Sequence, residues 1–357
     1  MNFAEAAQAQ AQLCETLGSA FTARLCRIFA DLPAAPSGLF HHLHNWPGDP
    51  SAAGDAVALR LAGALHALVL TDRAPALGAL YPPHDTATSP ARLQSTVVNT
   101  LNDEAGFVLR WLESPPQTNE VSRCSALIPA FHLLANHYGL PLVTSELGAS
   151  AGLNMIWDHY RCRIGAKGWG PGTAGLQLAP DWHGPVPPRA DISIRDRAGC
   201  DLSPLSPGSE DDRLRLMAYT WPDQPDRLER LQTALNLAAS LGNRVENADA
   251  ADWAESRLAN PRSNCLHVLY HSVTWQYFPP AVARRIANAV AAAGARATPL
   301  SPFAWLRIEA DGKEDGAAIT LTFWPGARRH NIGRIDFHGR WVQWAGLSGE
   351  ACPEYST

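Results

Sequence analysis

Apolar side chains recur every three or four residues near the start of the chain, which is the spacing of one face of a helix. The positions are Leu13, Leu17, Phe21, Leu25 and Ile28. The pattern also predicts helices over residues 53–70 and 92–112. A fourth helix is expected from Thr118–Asn119, whose side chains can cap, to Gly139. No segment before residue 139 alternates like a strand, so an all-helical N-terminal domain is predicted over residues 1–138.

The pattern changes at Pro141, where a short apolar run through Leu147 predicts a buried strand. A glycine-rich turn follows, and a helix is expected from it through Arg161. Residues 163–190 are dense in Gly and Pro, which predicts an irregular insertion. Residues 191–195 then have the composition of the next strand.

Strand and helix patterns alternate over the rest of the chain. Helices are predicted over 211–220, 226–241 and 280–293, and strands over 243–248, 265–271 and 303–309. Residues 319–324 and 332–344 alternate like an antiparallel pair. This order predicts an α/β domain over residues 139–357, with an open, mostly parallel, Rossmann-like sheet and an antiparallel C-terminal hairpin. The helical domain would lie on the lid or substrate side.

Composition narrows the class of protein. The 357 residues include 46% hydrophobic and 18% charged side chains, which is typical of a globular protein. A net charge of -5 offers no basic field, so nucleic acid is not expected as a partner. The most apolar early run, Val57–Leu70, contains Arg60 and His66 and is too short to span a bilayer. No signal segment is evident and the seven Cys residues are scattered, so we expect a cytoplasmic protein without a metal site.

The most informative stretch is the turn that follows Glu146, which contains Gly148, Ala149, Ser150, Gly152 and Asn154. Small residues there let the backbone approach a ligand closely, and free N–H groups at a helix start favour an anionic group. In an S-adenosylmethionine site that group is the methionine carboxylate. The first interpretation is therefore a methyltransferase motif, with Ser150 where a middle glycine is usual.

Gly148 to Gly152 also satisfies G-x-S-x-G, the nucleophile elbow of serine hydrolases. Such a serine follows a middle strand of its sheet, whereas here the upstream residues are predicted to be helical. A dinucleotide motif, G-x-G-x-x-G, does not fit the spacing. The cofactor turn is favoured, with the hydrolase and a purely structural turn as the alternatives.

Acidic residues follow successive predicted strands, and in an open parallel sheet a ligand lies across the carboxyl ends of the strands. Glu146 would orient the methionine amine, or else cap or pair with an arginine. Asp201 would accept from the ribose hydroxyls, with Asp196 competing for that role. Asp249 would meet the adenine amine, or would be the N-cap of a helix.

The strand at 265–271 ends in His271, a candidate general base, since histidine is the side chain type whose charge ordinarily changes near neutral pH. Glu309, at the end of the next strand, is a second candidate base. Tyr277 and Trp275 are expected to pack on the acceptor or the sulfonium. The alternative is a buried histidine bonded to backbone, with aromatic residues filling the end of the sheet.

Arg123 lies one helical turn after Glu120, a spacing that is typical of a surface pair. The functional alternative is that this helix lies against the turn and places Arg123 near the methionine carboxylate.

Several segments together resemble a bacterial family catalogued as domain of unknown function 2332, and the resemblance extends over nearly the whole chain. The segments are Asn119–Arg123, Glu146–Asn154 with Asp158, Tyr160 and Arg161, Gly199–Pro204, Trp221–Gln224, His271–Tyr277 and Trp324–Gly326. The resemblance implies a fold similar to class I methyltransferases and leaves the substrate and the reaction open.

Three functional hypotheses follow. The leading one is an S-adenosylmethionine-dependent methyltransferase acting on a small-molecule acceptor. The second is a non-catalytic ligand-binding or assembly protein on the same fold. The third is a serine hydrolase that uses Ser150, with Asp249 and either His271 or His338.

Overall fold

The computed structural model describes residues 1–84, 89–242, 244–313 and 315–348. The helices are, in chain order, α1 Phe3–Thr16, α2 Ala20–Ala30, α3 Gly38–His44, α4 Val57–Leu70, α5 Pro75–Gly78, α6 Pro90–Asp103, α7 Ala105–Leu112, α8 Cys124–Tyr138, α9 Glu210–Ala218, α10 Pro225–Leu241, α11 Ala250–Arg257 and α12 Pro280–Arg296. The strands are β1 Leu142–Leu147, β2 Arg161–Ile164, β3 Lys167–Trp169, β4 Gln177–Leu178, β5 Asp181–His183, β6 Ile194–Asp201, β7 Glu246–Asn247, β8 Leu266–Ser272, β9 Phe303–Glu309, β10 Ala317–Trp324, β11 Arg328–Ile335 and β12 Trp341–Trp344.

The chain divides into two units. The first contains residues 1–118 and 208–232, and the second contains residues 119–207 and those from 233 onward. This division falls at other points than the predicted boundary after residue 138, because α8 belongs to the second unit and α9 to the first.

Helices make up the first unit within the described residues. Helix α1 begins with a capping box, in which Asn2 and Glu5 satisfy each other's backbone N–H groups. Helix α4 is buried on nearly every side, which explains why its apolar positions follow no single face. The single helix predicted over 92–112 is wrong, since the chain breaks at Glu104 between α6 and α7.

A large sheet organises the second unit. Among the described residues its strand order is β5-β12-β11-β10-β9-β8-β1-β6-β7. Strands β9, β8, β1, β6 and β7 pair in parallel, and β9 to β12 pair antiparallel. The predicted mixed α/β class with a large, mostly parallel sheet is confirmed. Strand β1, the first in chain order among the described residues, thus lies in the interior of the sheet. Strands β6 and β7 lie on one side of it, and the later strands β8 and β9 lie on the other.

Apolar side chains cover both faces of the parallel strands. On one face, Leu147, Leu269 and Trp305 share a buried cluster with residues of α11 and α12. On the other face, Phe131 of α8 stacks on Trp157 at 4.1 Å between ring centroids and meets Tyr270 edge-on at 5.3 Å. Strands β1 and β8 are buried at every position, so both are rich in apolar residues and neither shows the simple alternation of a half-exposed strand.

Predicted elements between β1 and β8 differ most from the structure. The helix expected from the turn through Arg161 is wrong: a short 3₁₀ segment, Asn154–His159, leads directly into β2. The insertion holds a small sheet of order β3-β2-β4, and β5 pairs with β12. The strand predicted at 191–195 begins only at Ile194, and the one predicted at 243–248 shrinks to the two residues of β7. Asn243 lies outside the described residues.

No helix in the described part of the chain is sufficiently long and apolar to cross a membrane.

Candidate functional site

The turn after β1 adopts an unusual backbone conformation. Gly148, Ser150 and Gly152 have φ angles of 65°, 54° and 71°. The left-handed region suits glycine but is unfavourable for a residue with a Cβ, so the surroundings must hold Ser150 there. Strain of this kind tends to occur where the structure fixes a functional segment.

Several backbone N–H groups of the turn are already bonded within the protein. The Ala149 amide donates to the Cys200 carbonyl at 3.0 Å, and the Ser150 amide donates to Asp201 Oδ2 at 2.9 Å. The Leu153 amide donates to the Asn119 side chain at 2.9 Å. Because no α-helix starts at the turn, the expected field of a helix N-terminus is absent as well. The prediction of free amides at a helix start is therefore wrong.

Thr274 lies over the turn. A Cβ placed on Gly148 would lie 2.1 Å from Thr274 Oγ1 and 2.9 Å from Thr274 Cβ. Only glycine fits at this position, for the φ angle and for the close approach together. The space above Gly148 that was assigned to a ligand is occupied by a side chain in this conformation.

Glu146 points into the interior beside β8. Its carboxyl group is 2% exposed and accepts a hydrogen bond from the Tyr270 hydroxyl at 3.2 Å. Burial raises the pKa of Glu146 well above its usual range, and the Tyr270 hydrogen bond and the Arg123 charge oppose the shift. Arg123 donates from Nη1 to the Ser272 carbonyl at 3.0 Å, so it lies by the carboxyl end of β8.

Asp201 is the last residue of β6, and Asp249 follows the neighbouring strand β7. Asp201 accepts from the amides of Ser150 and Ser203, each at 2.9 Å, and the Ala248 amide donates to the Asp201 carbonyl. Asp249 caps α11, accepting from the amides of Ala251 and Asp252 at 2.9 and 3.1 Å. The N-cap alternative for Asp249 is thus confirmed.

Asp196, the competitor of Asp201, lies inside β6 and not at its end. Its Oδ2 accepts from Arg257 Nη2 at 2.8 Å, and Arg257 Nε donates to Ser145 at 3.0 Å. This network ties α11 to the sheet and leaves Asp201 as the acid at the strand end.

His271 and Glu309 form a buried pair at the ends of β8 and β9. His271 Nδ1 lies 2.5 Å from Glu309 Oε1, and the His271 ring is fully buried. The ring stacks on Trp275 at 5.2 Å and lies 5.9 Å from Trp305. His271 Nε2 is buried without a hydrogen-bond partner. Such an atom is costly unless something binds it, so it marks a place where a polar ligand group would be stabilised.

Two predicted site residues are placed away from a ligand-contacting position. The Tyr277 side chain is 71% exposed. Asn154 is 1% exposed, and its Oδ1 accepts from the Cys124 thiol at 3.2 Å, so it braces the turn from the interior.

Ser150 does not form a catalytic hydrogen bond with His271. Ser150 Oγ and His271 Nε2 are both buried without a hydrogen-bond partner, so the two atoms are not bonded to each other. A hydrolase needs this nucleophile–base contact. Among the described residues no strand precedes β1, which agrees with the chain-order argument against an elbow.

Sequence reasoning missed Thr274 and Val273. Val273 has a φ angle of 51°, which is rare for a β-branched residue. No local pattern announces either feature, because both arise from the contact between the loop after β8 and the turn after β1. Sequence reasoning also missed a cavity of about 270 Å³ at the amino end of β6, which His132, Trp157, Asp158 and Arg189 help to line.

These features define a mixed α/β protein with a cluster of acidic and basic side chains at the carboxyl edge of a mostly parallel sheet. Within that class, the chain belongs to the family described as uncharacterized proteins conserved in bacteria, DUF2332, whose model matches residues 4–344. No curated protein and no solved structure matches the chain.

Proposed function

We propose that the protein is an S-adenosylmethionine-dependent methyltransferase acting on a small-molecule acceptor. The observation that carries the proposal is the strand order β7-β6-β1-β8-β9, with the glycine turn after the interior strand β1. Ligands of doubly wound α/β folds bind at the carboxyl edge, where chain order reverses. Glu146, Asp201 and Asp249 lie at or just after the ends of three strands at that edge.

The residues fit the adenosine part of the cofactor. A carboxylate offers about four lone-pair sites, and each of Asp201 and Asp249 spends two on backbone amides. Both therefore keep capacity to accept from ribose hydroxyls or an adenine amine. Asp201 pairs with Asn247 in β7, two residues before Asp249, so the two acids belong to neighbouring strand ends, which suits a ligand that spans ribose and base.

The residues around the glycine turn fit the methionine part of the cofactor less well in this conformation. The turn amides of Ala149, Ser150 and Leu153 are engaged, and Thr274 lies over Gly148. Arg123 contacts the Ser272 carbonyl at the carboxyl end of β8, and its charge also acts on Glu146. We therefore assign the carboxylate to Arg123 rather than to the turn.

When bound, the cofactor supplies a methyl group on a sulfonium. The protein's share is to position the acceptor, exclude water and remove one proton where the acceptor carries it. His271 Nε2 is the proton-accepting atom in this proposal. Glu309 fixes the ring through Nδ1, as a carboxylate does for a general-base histidine.

Isothermal titration calorimetry with adenosylhomocysteine tests the binding step. We expect binding by the wild type and an affinity that is lower by tenfold or more for Asp201→Asn, since a hydrogen bond to a charged group contributes about 1.5–3 kcal/mol. Asp181→Asn is the matched control, because Asp181 lies in the outer strand β5 and its side chain is 73% exposed. No heat of binding at millimolar ligand would end the proposal.

A specific observation favours a second candidate, a non-catalytic ligand-binding protein on the same fold. Thr274 over Gly148 and the engaged amides describe a turn that is already filled. This candidate expects adenosylhomocysteine binding without methyl transfer to any amine, thiol or hydroxyl acceptor in a panel. Methyl transfer that depends on His271 would exclude it.

A further inference from the structure

The loop that covers the glycine turn is held from one side by a single carboxylate. Glu309 accepts from the Thr274 amide at 3.1 and 3.2 Å and from the Trp275 amide at 3.3 Å. It also accepts from His271 Nδ1 at 2.5 Å. These hydrogen bonds use both carboxylate oxygens of Glu309, so its side chain is bonded to the loop and to His271 at the same time.

Aromatic contacts hold the same loop. The Trp275 ring stacks on His271 and lies 5.6 Å from Trp305 and 5.7 Å from Phe278. The loop then emerges at the surface, where Tyr277 is largely exposed. The covering segment, residues 273–277, is therefore anchored at its start and open at its far end.

Strain opposes this anchoring. Val273 holds a left-handed conformation at φ 51°, and its backbone N–H donates a hydrogen bond to the Ile308 carbonyl at 2.8 Å, which fixes it there. A β-branched residue relaxes when it leaves that region, so the closed loop stores a bias toward opening. The contacts of Glu309 counter that bias.

We propose that Glu309 is a positioning residue that holds Thr274 over Gly148, and that a ligand reaches the glycine turn only when this contact is released. The inference rests on the proposed function for the identity of the ligand, adenosylhomocysteine, but not for the motion of the loop. It replaces the prediction of Glu309 as a catalytic base with a role that acts through the loop and through His271. The apparent affinity then depends on how often the loop is open.

Hydrogen exchange of the ligand-free protein tests the loop directly. Glu309→Gln replaces one accepting oxygen by an NH₂ group that cannot accept. We expect the amides of Thr274 and Trp275 to exchange at least tenfold faster in this variant. Asp311→Asn is the matched control, because Asp311 follows the same strand and accepts from the Lys313 amide and from Arg334. It should leave the exchange of residues 273–277 unchanged.

A second variant moves the equilibrium in the opposite direction, which keeps the test decisive should Glu309→Gln fold poorly. Asn tolerates the left-handed region, so Val273→Asn should slow exchange at Thr274 and Trp275. Unchanged exchange in both variants would overturn the inference, as would equal acceleration by Asp311→Asn.

Ligand access is measured separately with adenosylhomocysteine. Thr274→Gly opens the space over Gly148 and should bind several-fold more tightly than Thr274→Ser, which keeps the hydroxyl. Equal affinities of these two variants would contradict control of access by Thr274. Absence of binding by both would sink the proposed function, while the exchange experiment would still decide whether Glu309 holds the loop.

Discussion

Glu146 shows how one buried carboxyl group couples protonation to stability. Burial raises its pKa above the ordinary value of 4.5, so the folded state retains a proton that the unfolded chain releases. The buried, protonated Glu146 therefore stabilises the fold when the pH is below the pKa of this residue in the unfolded chain. That stabilisation is lost as the pH rises toward its higher pKa in the folded protein. A neutral carboxyl group also suits the hydrogen bond from Tyr270.

Glu146→Gln is expected to reverse that loss, because Gln has nearly the shape of the protonated acid. Relative to wild type, the free energy of unfolding of the variant should rise as the pH increases from the unfolded pKa to the folded pKa of Glu146, by about 1.4 kcal/mol for each pH unit in between. Denaturant titrations at several pH values measure it. Glu113→Gln, at an exposed position, is the control. Parallel stability curves for Glu146→Gln and wild type would contradict the assignment.

Gly148 is a second residue whose role follows from its immediate surroundings, namely its left-handed backbone and its contact with Thr274. Gly148→Ala should cost about 1–2 kcal/mol for the left-handed conformation, plus the cost of the 2.1 Å contact with Thr274 Oγ1. In a Thr274→Gly background the contact disappears and only the conformational cost remains. A double-mutant cycle in denaturant should therefore show a coupling of about 0.5–3 kcal/mol. An equal cost of Gly148→Ala in both backgrounds would disprove the contact.

At the scale of elements, α11 connects stability to the proposed site. Its N-cap is Asp249, the residue to which the proposed function also assigns the adenine amine of the cofactor. Asp249→Ala should lose about 1 kcal/mol of stability through the missing cap, whereas Asp249→Asn keeps an accepting oxygen and should lose far less. Both variants remove the carboxylate and should weaken adenosylhomocysteine binding. Binding of wild-type strength in both would assign Asp249 to capping alone, and thermal melts with calorimetry separate the two effects.

The elements that sequence could predict are those whose own residues determine them. Strands β1, β8 and β9 are short segments rich in apolar residues and are buried along nearly their whole length, so their own composition identifies them without knowledge of their neighbours. The 3₁₀ segment Asn154–His159 was predicted as an α-helix. Its apolar side chains, such as Trp157 against Phe131, have helix-like spacing but pack into a short irregular connection. Strand β7 has only two residues at the sheet edge, too few to give a pattern.

The candidate site likewise contains features that the sequence could predict and features that it could not. His271, Glu309, Asp201 and Asp249 follow strands, so a sequence pattern for strands also predicts their shared edge. Thr274 over Gly148 depends on two loops that are far apart in the chain, and the sequence of neither one encodes their contact. The amides of the turn looked free because their acceptors, Cys200, Asp201 and Asn119, belong to distant segments.

At the scale of the whole molecule, the order of the parallel strands places the ends of β6, β1 and β8 next to one another. That order brings acids from separate segments to one edge and sets the glycine turn in the interior of the sheet. The proposed cofactor site depends on this arrangement more than on any single residue. A cavity of about 270 Å³ at the amino end of β6 offers a competing location within the second unit.

A crystal structure of the protein soaked with millimolar adenosylhomocysteine tests the central claim most directly. The account predicts adenosine against Asp201 and Asp249, with Thr274 displaced from Gly148. Ligand bound instead in the cavity near His132 and Asp158, with Thr274 still in contact with the turn, would contradict it.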